Sequence, residues 1–463
     1  MDGCRTLQAR GPVLVIIGGG AAGTLTTINL LYALAGIAPY RIVLLDRLGR
    51  HGRGTAYSTT DDRHLLNVPA AQMSAFPDDP RHFLRWARSV GIEITDDTYA
   101  RRRVYGDYLA HTLAEARAAA PNVTVGHVTG TATAVTELSR LRVHLSAGGR
   151  IDADLVVVAT GNRPPGDPVP DLLRSSRYVS DPWRPRALAA PRGRVLCVGT
   201  GLTMIDVALT VTRAPGTTVY AVSRHGLTPR PHRTELTPVA SKPISYESGH
   251  RPPDGPLRLV DAIRWWHALV RQSRDWRQAT DKARPYLTDV WGRLSEADRA
   301  VFVRRLARYW EVHRHRMPEA SERRIDALRQ EGRFRLVPGR VDAAETYRDV
   351  VEVQVGGRPL SVDWVINCTG PRENAADDPL FRRLVAAGLA RPGPLRIGLD
   401  SAPDGALLNA DGIPNPRMFT LGPPRRGSLY ESTAVPEIRV QAAALAERLA
   451  SSLKTADPVP TPG

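Results

Sequence analysis

Three glycines near the beginning of the chain have the spacing of a nucleotide-binding loop. They form Gly18-x-Gly20-x-x-Gly23, directly after the apolar run Val13–Ile17. In such a loop the first glycine permits a tight turn, the second lets a pyrophosphate approach the backbone, and the third lets a helix pack closely on a strand. Asp46 follows about 20 residues later, where a carboxylate accepts hydrogen bonds from ribose hydroxyls. The sequence therefore predicts a first dinucleotide site.

A second loop of the same kind begins at Gly199. Gly199-x-Gly201 follows another strand-like run, and Met204 stands where a third glycine is expected. The next predicted strand ends not in an acid but in Ser223 and Arg224. A basic group there can pair with a 2′-phosphate, which favours NADPH over NADH. The alternative is that Arg224 is one more exposed arginine.

Candidate substrate-binding side chains lie beyond the second loop. Arginine suits an anionic or carbonyl-rich substrate because its guanidinium donates paired hydrogen bonds. The candidates follow the second loop or lie on a later helical segment, and they are Arg230, His232, Arg314, His315 and Arg316. For each one the alternative is an ordinary solvated surface. With no catalytic triad or carboxylate pair visible, the catalytic residues stay unassigned.

The elements that must position these residues form two strand–helix–strand units, which predict an α/β fold with two Rossmann-like dinucleotide-binding domains and a helical insertion. Two more buried strands end at Gly161 and Gly370, where the chain of such proteins crosses between domains. Residues 123–145 have the pattern of a β-meander. We predict an FAD-binding domain from residues 10–165 and 376–453. Residues 166–375 form the NAD(P)-binding domain, with the helical insertion at about 255–332.

The composition restricts the partners. The net charge is +16, and all but three of the 63 basic residues are arginine. Scattered arginines lack the patch that nucleic-acid binding needs, so we expect no nucleic-acid partner. No apolar run reaches the ~20 residues of a membrane helix, so we expect no membrane partner. The oligomeric state is not predicted.

The cysteines exclude further classes of site. Cys4, Cys197 and Cys368 lie far apart in the sequence, which gives no disulfide framework, no metal spacing and no Cys-x-x-Cys redox pair. We therefore predict no metal site. In the absence of a signal peptide, the cytoplasm is the expected location.

Longer segments carry a family resemblance, and they are 18–23, 54–58, 64–69, 73–80, 199–206, 223–227, 366–371, 421–423 and 431–437. Through them the chain resembles the FAD/NAD(P)-binding flavoproteins of the monooxygenase type over nearly its whole length. The block 66–80 resembles the branch that holds the bacterial FAD-dependent urate hydroxylases. More distant relatives hydroxylate amino-acid nitrogens.

The resemblance implies further site residues and a reaction. It places Thr55, Tyr57 and Asn67 near the flavin and Gly422 at its far edge, and it makes Glu431 a substrate candidate. The implied cofactors are FAD, NADPH or NADH, and O₂ as co-substrate. The implied reaction is hydroxylation of a small polar substrate, with urate to 5-hydroxyisourate as the specific expectation.

Two alternative functions remain open at this point. One is N-hydroxylation of a small amino acid, and the other is a non-catalytic flavin-binding redox protein. A disulfide reductase is disfavoured, because the redox cysteines are missing and Gly422 is followed by Pro423 where such enzymes have Gly-Asp.

Overall fold

The structure is a computed structural model that describes residues 11–232 and 251–455. These residues divide into two compact units. Unit 1 contains the described residues of 11–60, 68–162 and 373–455, and unit 2 contains those of 61–67 and 163–372.

The described residues form seventeen strands and fourteen α-helices. In chain order the strands are β1 (Val13–Ile17), β2 (Tyr40–Asp46), β3 (Val123–Thr129), β4 (Ala132–Glu137), β5 (Leu141–Leu145), β6 (Arg150–Ala153), β7 (Leu155–Val158), β8 (Tyr178–Val179), β9 (Arg194–Val198), β10 (Thr218–Ser223), β11 (Phe334–Pro338), β12 (Val341–Tyr347), β13 (Val350–Val355), β14 (Arg358–Val362), β15 (Trp364–Asn367), β16 (Ala406–Leu408) and β17 (Pro414–Thr420). The helices are α1 (Ala21–Leu34), α2 (Gly54–Tyr57), α3 (His82–Ser89), α4 (Arg102–Ala119), α5 (Leu202–Val211), α6 (Leu259–Gln272), α7 (Trp276–Ala283), α8 (Leu287–Arg293), α9 (Glu296–Val301), α10 (Ala307–Arg314), α11 (Glu319–Gln330), α12 (Pro379–Ala386), α13 (Arg426–Leu429) and α14 (Val435–Thr455).

The main sheet of unit 1 has the strand order β16-β17-β7-β1-β2-β3. Its neighbouring strands are parallel except for β16 and β17. The chain leaves β1 and returns through α1 to β2, while β7 lies on the other side of β1. Ligands of such sheets bind at the carboxyl ends of the strands, where the strand order reverses. The glycine loop after β1 lies at that point.

One predicted feature of unit 1 is wrong in part. Residues 123–145 were expected to form a β-meander, but β3 pairs in parallel with β2 at the edge of the main sheet. Only β4, β5 and β6 form an antiparallel sheet. The alternating residues of β3 fit either arrangement, because a half-buried edge strand and a meander strand share the same period.

Unit 2 repeats this arrangement. Its main sheet has the order β11-β10-β9-β15-β8, and every neighbouring pair is parallel. Here α5 connects β9 to β10, and β15 lies on the other side of β9. An antiparallel sheet of β12, β13 and β14 belongs to the same unit. Six helices, α6 to α11, lie between β10 and β11 and form the helical insertion.

Burial explains why the central elements are so apolar. Helix α1 contacts both α4 and α14, so it is covered on several sides. Thr26 and Thr27 are fully buried in it, and their hydroxyls donate to the carbonyl oxygens of Ala22 (2.9 Å) and Gly23 (2.8 Å). Each buried leucine or isoleucine of this helix adds about 1.5–3 kcal/mol to the stability.

The segment 61–67 belongs to unit 2, whereas the sequence prediction assigned it to the FAD-binding domain. The hydroxyl of Thr210, on α5, donates to Asp61 Oδ2 at 3.0 Å. His64 Nε2 lies 2.9 Å from the same hydroxyl and 3.1 Å from the carbonyl oxygen of Asp206. These contacts depend on the fold and leave no sign in the local sequence.

In residues 11–232 and 251–455, no helix is long and apolar enough to cross a membrane.

Candidate functional site

In the glycine loop of unit 1, residues 18–23, close backbone packing requires glycine at two positions. Gly18 has φ +120°, and a Cβ there would lie 2.2 Å from the carbonyl oxygen of Ala159 at the end of β7. A Cβ on Gly23 would lie 1.9 Å from the carbonyl oxygen of Gly18. No side chain fits at either position, which agrees with the tight turn and the close helix–strand packing that the sequence predicts.

Gly20 differs from the other two glycines of the loop. It precedes α1 with φ −76°, and a Cβ there would meet only the Cα of Gly54, at 3.5 Å, which is ordinary contact. The fold itself therefore tolerates a methyl group at this position. Free N–H groups and the positive end of the α1 dipole lie at this helix start. Glycine at this position leaves room for an anionic group to approach these N–H groups.

A second stretch of chain folds over this loop. The N–H of Gly52 donates to the carbonyl oxygen of Gly19 at 3.0 Å, and Gly54 touches Gly20. The predicted flavin residues follow: Thr55 is exposed, and the ring of Tyr57 lies 4.8 Å from that of Tyr105, edge to face. Burial raises the pKa of Tyr57 to about 12, so the phenol stays protonated at neutral pH.

Asp46 and His51 lie beside Gly19. The Oδ1 atom of Asp46 accepts hydrogen bonds from the N–H groups of Leu48 and Arg50, both at 2.9 Å, which fixes the carboxylate at the end of β2. A Cβ on Gly19 would lie 2.8 Å from both Asp46 Cβ and His51 Nδ1. This explains why the position between the first two loop glycines is also glycine.

Two buried polar atoms flank this loop without a hydrogen-bond partner among the described residues. One is Nδ1 of His51, whose ring stacks on that of His127 with centroids 4.5 Å apart. The other is Oγ1 of Thr160, which follows Ala159 at the strand end next to Gly18. An unsatisfied buried polar group costs about 1–3 kcal/mol. Both atoms therefore fit the polar groups of a dinucleotide bound on the loop.

His51 is uncharged near neutral pH. Burial lowers its pKa, and the nearby carboxylate of Asp46 offsets only part of this. Neither His51 nor Thr160 belongs to a spacing pattern, so the sequence alone does not identify them as site residues. The only available signal was that Thr160 follows a buried strand.

The remaining predicted glycines of unit 1 lie in left-handed backbone. Gly161 has φ +66° and directly follows Thr160. Gly422 has φ +72°, and a Cβ there would lie 3.6 Å from the Cβ of Ala22 in the first turn of α1. Gly422 therefore adjoins the same helix start as the glycine loop.

The glycine loop of unit 2, residues 199–204, has matching geometry. Gly199 has φ +105°, and a Cβ there would lie 2.5 Å from the carbonyl oxygen of Cys368, after β15. Its N–H donates to the carbonyl oxygen of Val222 at 2.8 Å, as that of Gly18 does to Leu45 in unit 1. The two loops thus meet the neighbouring strands in the same way.

The ligand-facing side of this second loop is open. Gly201 is exposed, and a Cβ there would have no atom within 4 Å. The Thr200 hydroxyl lies 2.9 Å from Ser223 Oγ and also donates to the carbonyl oxygen of Leu227, which ties the loop to the end of β10. Arg224 follows and is exposed.

Two more residues of the predicted nucleotide site belong to unit 2. Gly370, after β15, is exposed. Met204, in place of a third glycine, is fully buried in the unit 2 core. The loop therefore accommodates a large side chain where unit 1 accommodates none.

The substrate candidates of unit 2 are only partly free to bind a ligand. Arg230 is exposed, while Nε2 of His232 lies 2.8 Å from the carbonyl oxygen of Asn67. His315 pairs with Glu311 at 2.9 Å.

The two remaining arginines are buried. Arg316 forms an ion pair with Asp281, and its Nε is buried without a partner among the described residues. Arg314 is also buried, and the last candidate, Glu431, is buried in unit 1.

In unit 2 the backbone brings five of the six candidates together, since the N–H of Arg230 donates to the carbonyl oxygen of Val312 and that of His232 donates to the carbonyl oxygen of Met317. The sixth candidate, Glu431, belongs to unit 1.

The two described cysteines are unsuited to redox exchange. Cys197 lies on β9 and Cys368 just after β15, and both are free and buried. Burial, together with the neighbouring Cys197, raises the pKa of Cys368 well above its usual range. The reactive thiolate form is therefore disfavoured.

The fold and the two glycine loops define a class: α/β proteins with one dinucleotide-binding unit inserted into another. Residues 15–163 match the FAD-NAD(P)-binding family. No curated protein is similar enough in sequence to count as a match.

Solved structures share this fold along nearly the whole chain. The reduced form of ornithine hydroxylase (PvdA) from Pseudomonas aeruginosa has a TM-score of 0.63 and 15% identity, covering 96% of this chain and 99% of that one. L-lysine 6-monooxygenase from Pseudomonas syringae has a TM-score of 0.58 and 16% identity, covering 97% and 100%. The cadaverine monooxygenase DfoA from Erwinia amylovora, bound to FAD, has a TM-score of 0.58 and 13% identity, covering 94% of each chain.

These likenesses confirm the predicted fold class, and they agree with the predicted FAD and NAD(P) cofactors. At such low identity they establish the fold alone. Disulfide reductases share the fold as well, so the reaction must be argued from the site.

Proposed function

We propose that this protein is an FAD-dependent, NAD(P)H-consuming monooxygenase that hydroxylates a small polar substrate. One observation carries the proposal: each unit has a loop whose first glycine is required by packing and whose second is not. In both loops the second glycine lies at the start of a helix and has room for a Cβ, which would make only ordinary contact with Gly54 at Gly20 and would meet no atom within 4 Å at Gly201. A pyrophosphate on each helix start accounts for both.

The residues of unit 1 fit FAD. The N–H groups at the start of α1 would hold the pyrophosphate, and Asp46 would accept hydrogen bonds from ribose hydroxyls. His51 Nδ1 and Thr160 Oγ1 supply the buried polar atoms that lack partners among the described residues. When bound, FAD supplies the hydride acceptor and the activation of O₂. The task of the chain is to orient the flavin and to exclude water.

The residues of unit 2 fit a nicotinamide dinucleotide. The loop at Gly199 and Gly201 would hold its pyrophosphate, and the end of β10 offers Ser223 and Arg224 in place of an acid. This supports NADPH over NADH as the reductant. The burial of Cys197 and Cys368 supports oxygen chemistry over disulfide reduction.

The substrate class we favour is a small amine or amino acid. The three solved structures described above are named for ornithine, lysine and cadaverine, and each of these compounds carries a primary aliphatic amine. The urate prediction gains no comparable support. In unit 1, Glu431 and Ser432 are buried, and a carboxylate is a natural partner for an amine.

The test is turnover by the full-length, FAD-loaded protein. Flavin reduction by NADPH and by NADH is first measured in the absence of oxygen. The protein is then allowed to react aerobically with ornithine, lysine, cadaverine or urate, and the product masses are measured by mass spectrometry. We expect nicotinamide oxidation that depends on an amine and a product heavier by one oxygen atom. A urate product would overturn the amine assignment, and no flavin reduction by either nucleotide would overturn the monooxygenase.

A matched pair of variants separates binding from folding. Gly20→Ala fits the fold but occupies the expected path of the pyrophosphate, so we expect folded protein without FAD. Gly126→Ala adds the same methyl group on β3, where no atom lies within 4 Å, and should keep its flavin. Equal flavin content in both variants would contradict the assigned site.

A further inference from the structure

Basic residues from two separate parts of the chain lie at the carboxyl end of β10. Arg224 and His225 follow the strand, and both are exposed. Arg308, in the first turn of α10 in the helical insertion, donates a hydrogen bond from Nη1 to Nε2 of His225. The ring of Tyr309 lies 6.1 Å from that of His225. The insertion therefore contributes to the surface beside the second glycine loop.

Arg308 is held in place without a counter-charge. Its Nη2 donates to the carbonyl oxygen of Arg304, and its Cζ lies 5.7 Å from the ring centroid of Tyr309. Among the described residues, no carboxylate pairs with Arg308 or with Arg224. Two guanidinium groups near one strand end, neither paired with an acid among the described residues, favour an anionic ligand.

The backbone before Arg308 is unusual. One turn of π-helix, Phe302–Leu306, separates α9 from α10. Such turns are rare and are found frequently at functional sites. Here the turn immediately precedes the residues that face His225.

We infer that Arg308 and Arg224 together form the binding site for the 2′-phosphate of NADPH, so that the helical insertion helps to select the nucleotide. The inference rests on the proposed function. In a dinucleotide unit the adenosine ribose lies at the end of the strand that follows the glycine loop and its helix, which is β10 here. A phosphate monoester carries nearly two negative charges and accepts paired hydrogen bonds from arginine.

The test measures nucleotide binding without turnover. Full-length, FAD-loaded protein is titrated calorimetrically with adenosine 2′,5′-bisphosphate and with 5′-AMP. We expect Arg308→Ala to weaken bisphosphate binding by about tenfold, because one charge-assisted contact is lost. The affinity for 5′-AMP should stay within about twofold of that of the unmodified protein. Arg305→Ala removes an exposed arginine of the adjacent π-helical turn and should change neither affinity.

Each contrary result has a distinct meaning. Equal weakening of both ligands by Arg308→Ala would show a structural role, and no weakening would remove Arg308 from the site; either overturns the inference. Arg308→Lys, which keeps the charge, should recover part of the lost affinity. If the unmodified protein binds both ligands equally, the inference is wrong while an NADH-dependent monooxygenase stands. Flavin that neither nucleotide reduces would instead overturn the proposed function.

Discussion

At the scale of single residues, the glycines of a dinucleotide loop serve two separate purposes. Gly18, Gly23 and Gly199 are required because a Cβ would collide with a carbonyl oxygen. Gly20 and Gly201 have room for a methyl group, so the fold does not require glycine there, whereas the pyrophosphates that we propose would require it. Substitution can therefore distinguish stability from binding at neighbouring positions of one motif.

Unit 2 offers the sharpest such comparison. We expect Gly199→Ala to destabilise the protein by about 1–3 kcal/mol, because it combines φ +105° with a Cβ 2.5 Å from Cys368 O. Gly201→Ala should leave the melting temperature unchanged and raise the KM for NADPH by about tenfold or more. Thermal unfolding and steady-state kinetics measure the two effects, with Gly292→Ala, on an open helix face, as the control. A stable, fully active Gly199→Ala protein would contradict the packing argument.

The sequence could predict the glycines but not all of their neighbours. Glycines that must adopt positive φ or accept a close contact have a characteristic spacing within one loop, which can be recognised in the sequence. His51 and Thr160 reach the loop only because separate strand ends meet at one edge of the sheet. Arg308 is separated from His225 by most of the helical insertion. Such juxtapositions depend on tertiary structure, and no local pattern encodes them.

At the scale of elements, hydroxyl contacts join the loops at the strand ends. Thr200 links the glycine loop after β9 to Ser223 and Leu227 at the end of β10. We expect Thr200→Val to raise the KM for NADPH about threefold to tenfold and to leave the FAD content unchanged. The matched control is Thr212→Val, whose hydroxyl bonds only to the carbonyl oxygen of Ala208 in α5. An equal rise in KM for both variants would point to a general effect on α5.

The attachment of segment 61–67 to α5 should depend on pH. Burial raises the pKa of Asp61, but the hydrogen bonds from Arg63 and Thr210 outweigh it and hold the pKa far below its usual value of 3.8. A carboxyl whose folded pKa is depressed stabilises the fold above its unfolded pKa and loses that contribution as the pH falls toward the folded pKa. The charge of Asp61 should therefore stabilise the folded protein at pH 7, and this contribution should decrease progressively below pH ~4.

The corresponding experiment is urea unfolding of Asp61→Asn. We expect a loss of about 1–2 kcal/mol at pH 7, shrinking as the pH falls below ~4. Asp254→Asn replaces an exposed carboxylate of the same unit and should have no effect at either pH. A loss that does not vary with pH would show that the charge of Asp61 is not what holds the segment.

At the scale of the whole molecule, two ligands should stabilise two different regions. A ligand that binds only the folded state adds about 2.7 kcal/mol at 100 times its Kd. In hydrogen-exchange mass spectrometry, we expect FAD to protect peptides around residues 13–34 and NADP⁺ to protect peptides around residues 194–223. Protection of residues 194–223 by FAD alone would contradict the assignment of the two loops.

The fold class was predictable at this scale because each strand–helix–strand unit is local and strongly apolar. The membership of segment 61–67 was not, because it rests on contacts of Asp61 and His64 with Asp206 and Thr210, far along the chain. The high positive charge is divided among many surface arginines. For example, Arg142 on β5 pairs with Asp152 on β6 at 2.6 Å, and Arg140 pairs with Asp154, just after β6, also at 2.6 Å.

The divided course of unit 1 has a consequence for biosynthesis. Strand β17 pairs with β7, and α14 contacts α1, yet both come from residues that follow all of unit 2. On the ribosome, the parallel sheet of unit 2 is therefore complete before that of unit 1. Until β17 and α14 emerge, the nascent chain exposes the edge of β7 and an apolar face of α1. Closure of unit 1 is thus a late event in synthesis, and we expect the chain to depend most on chaperone protection until then.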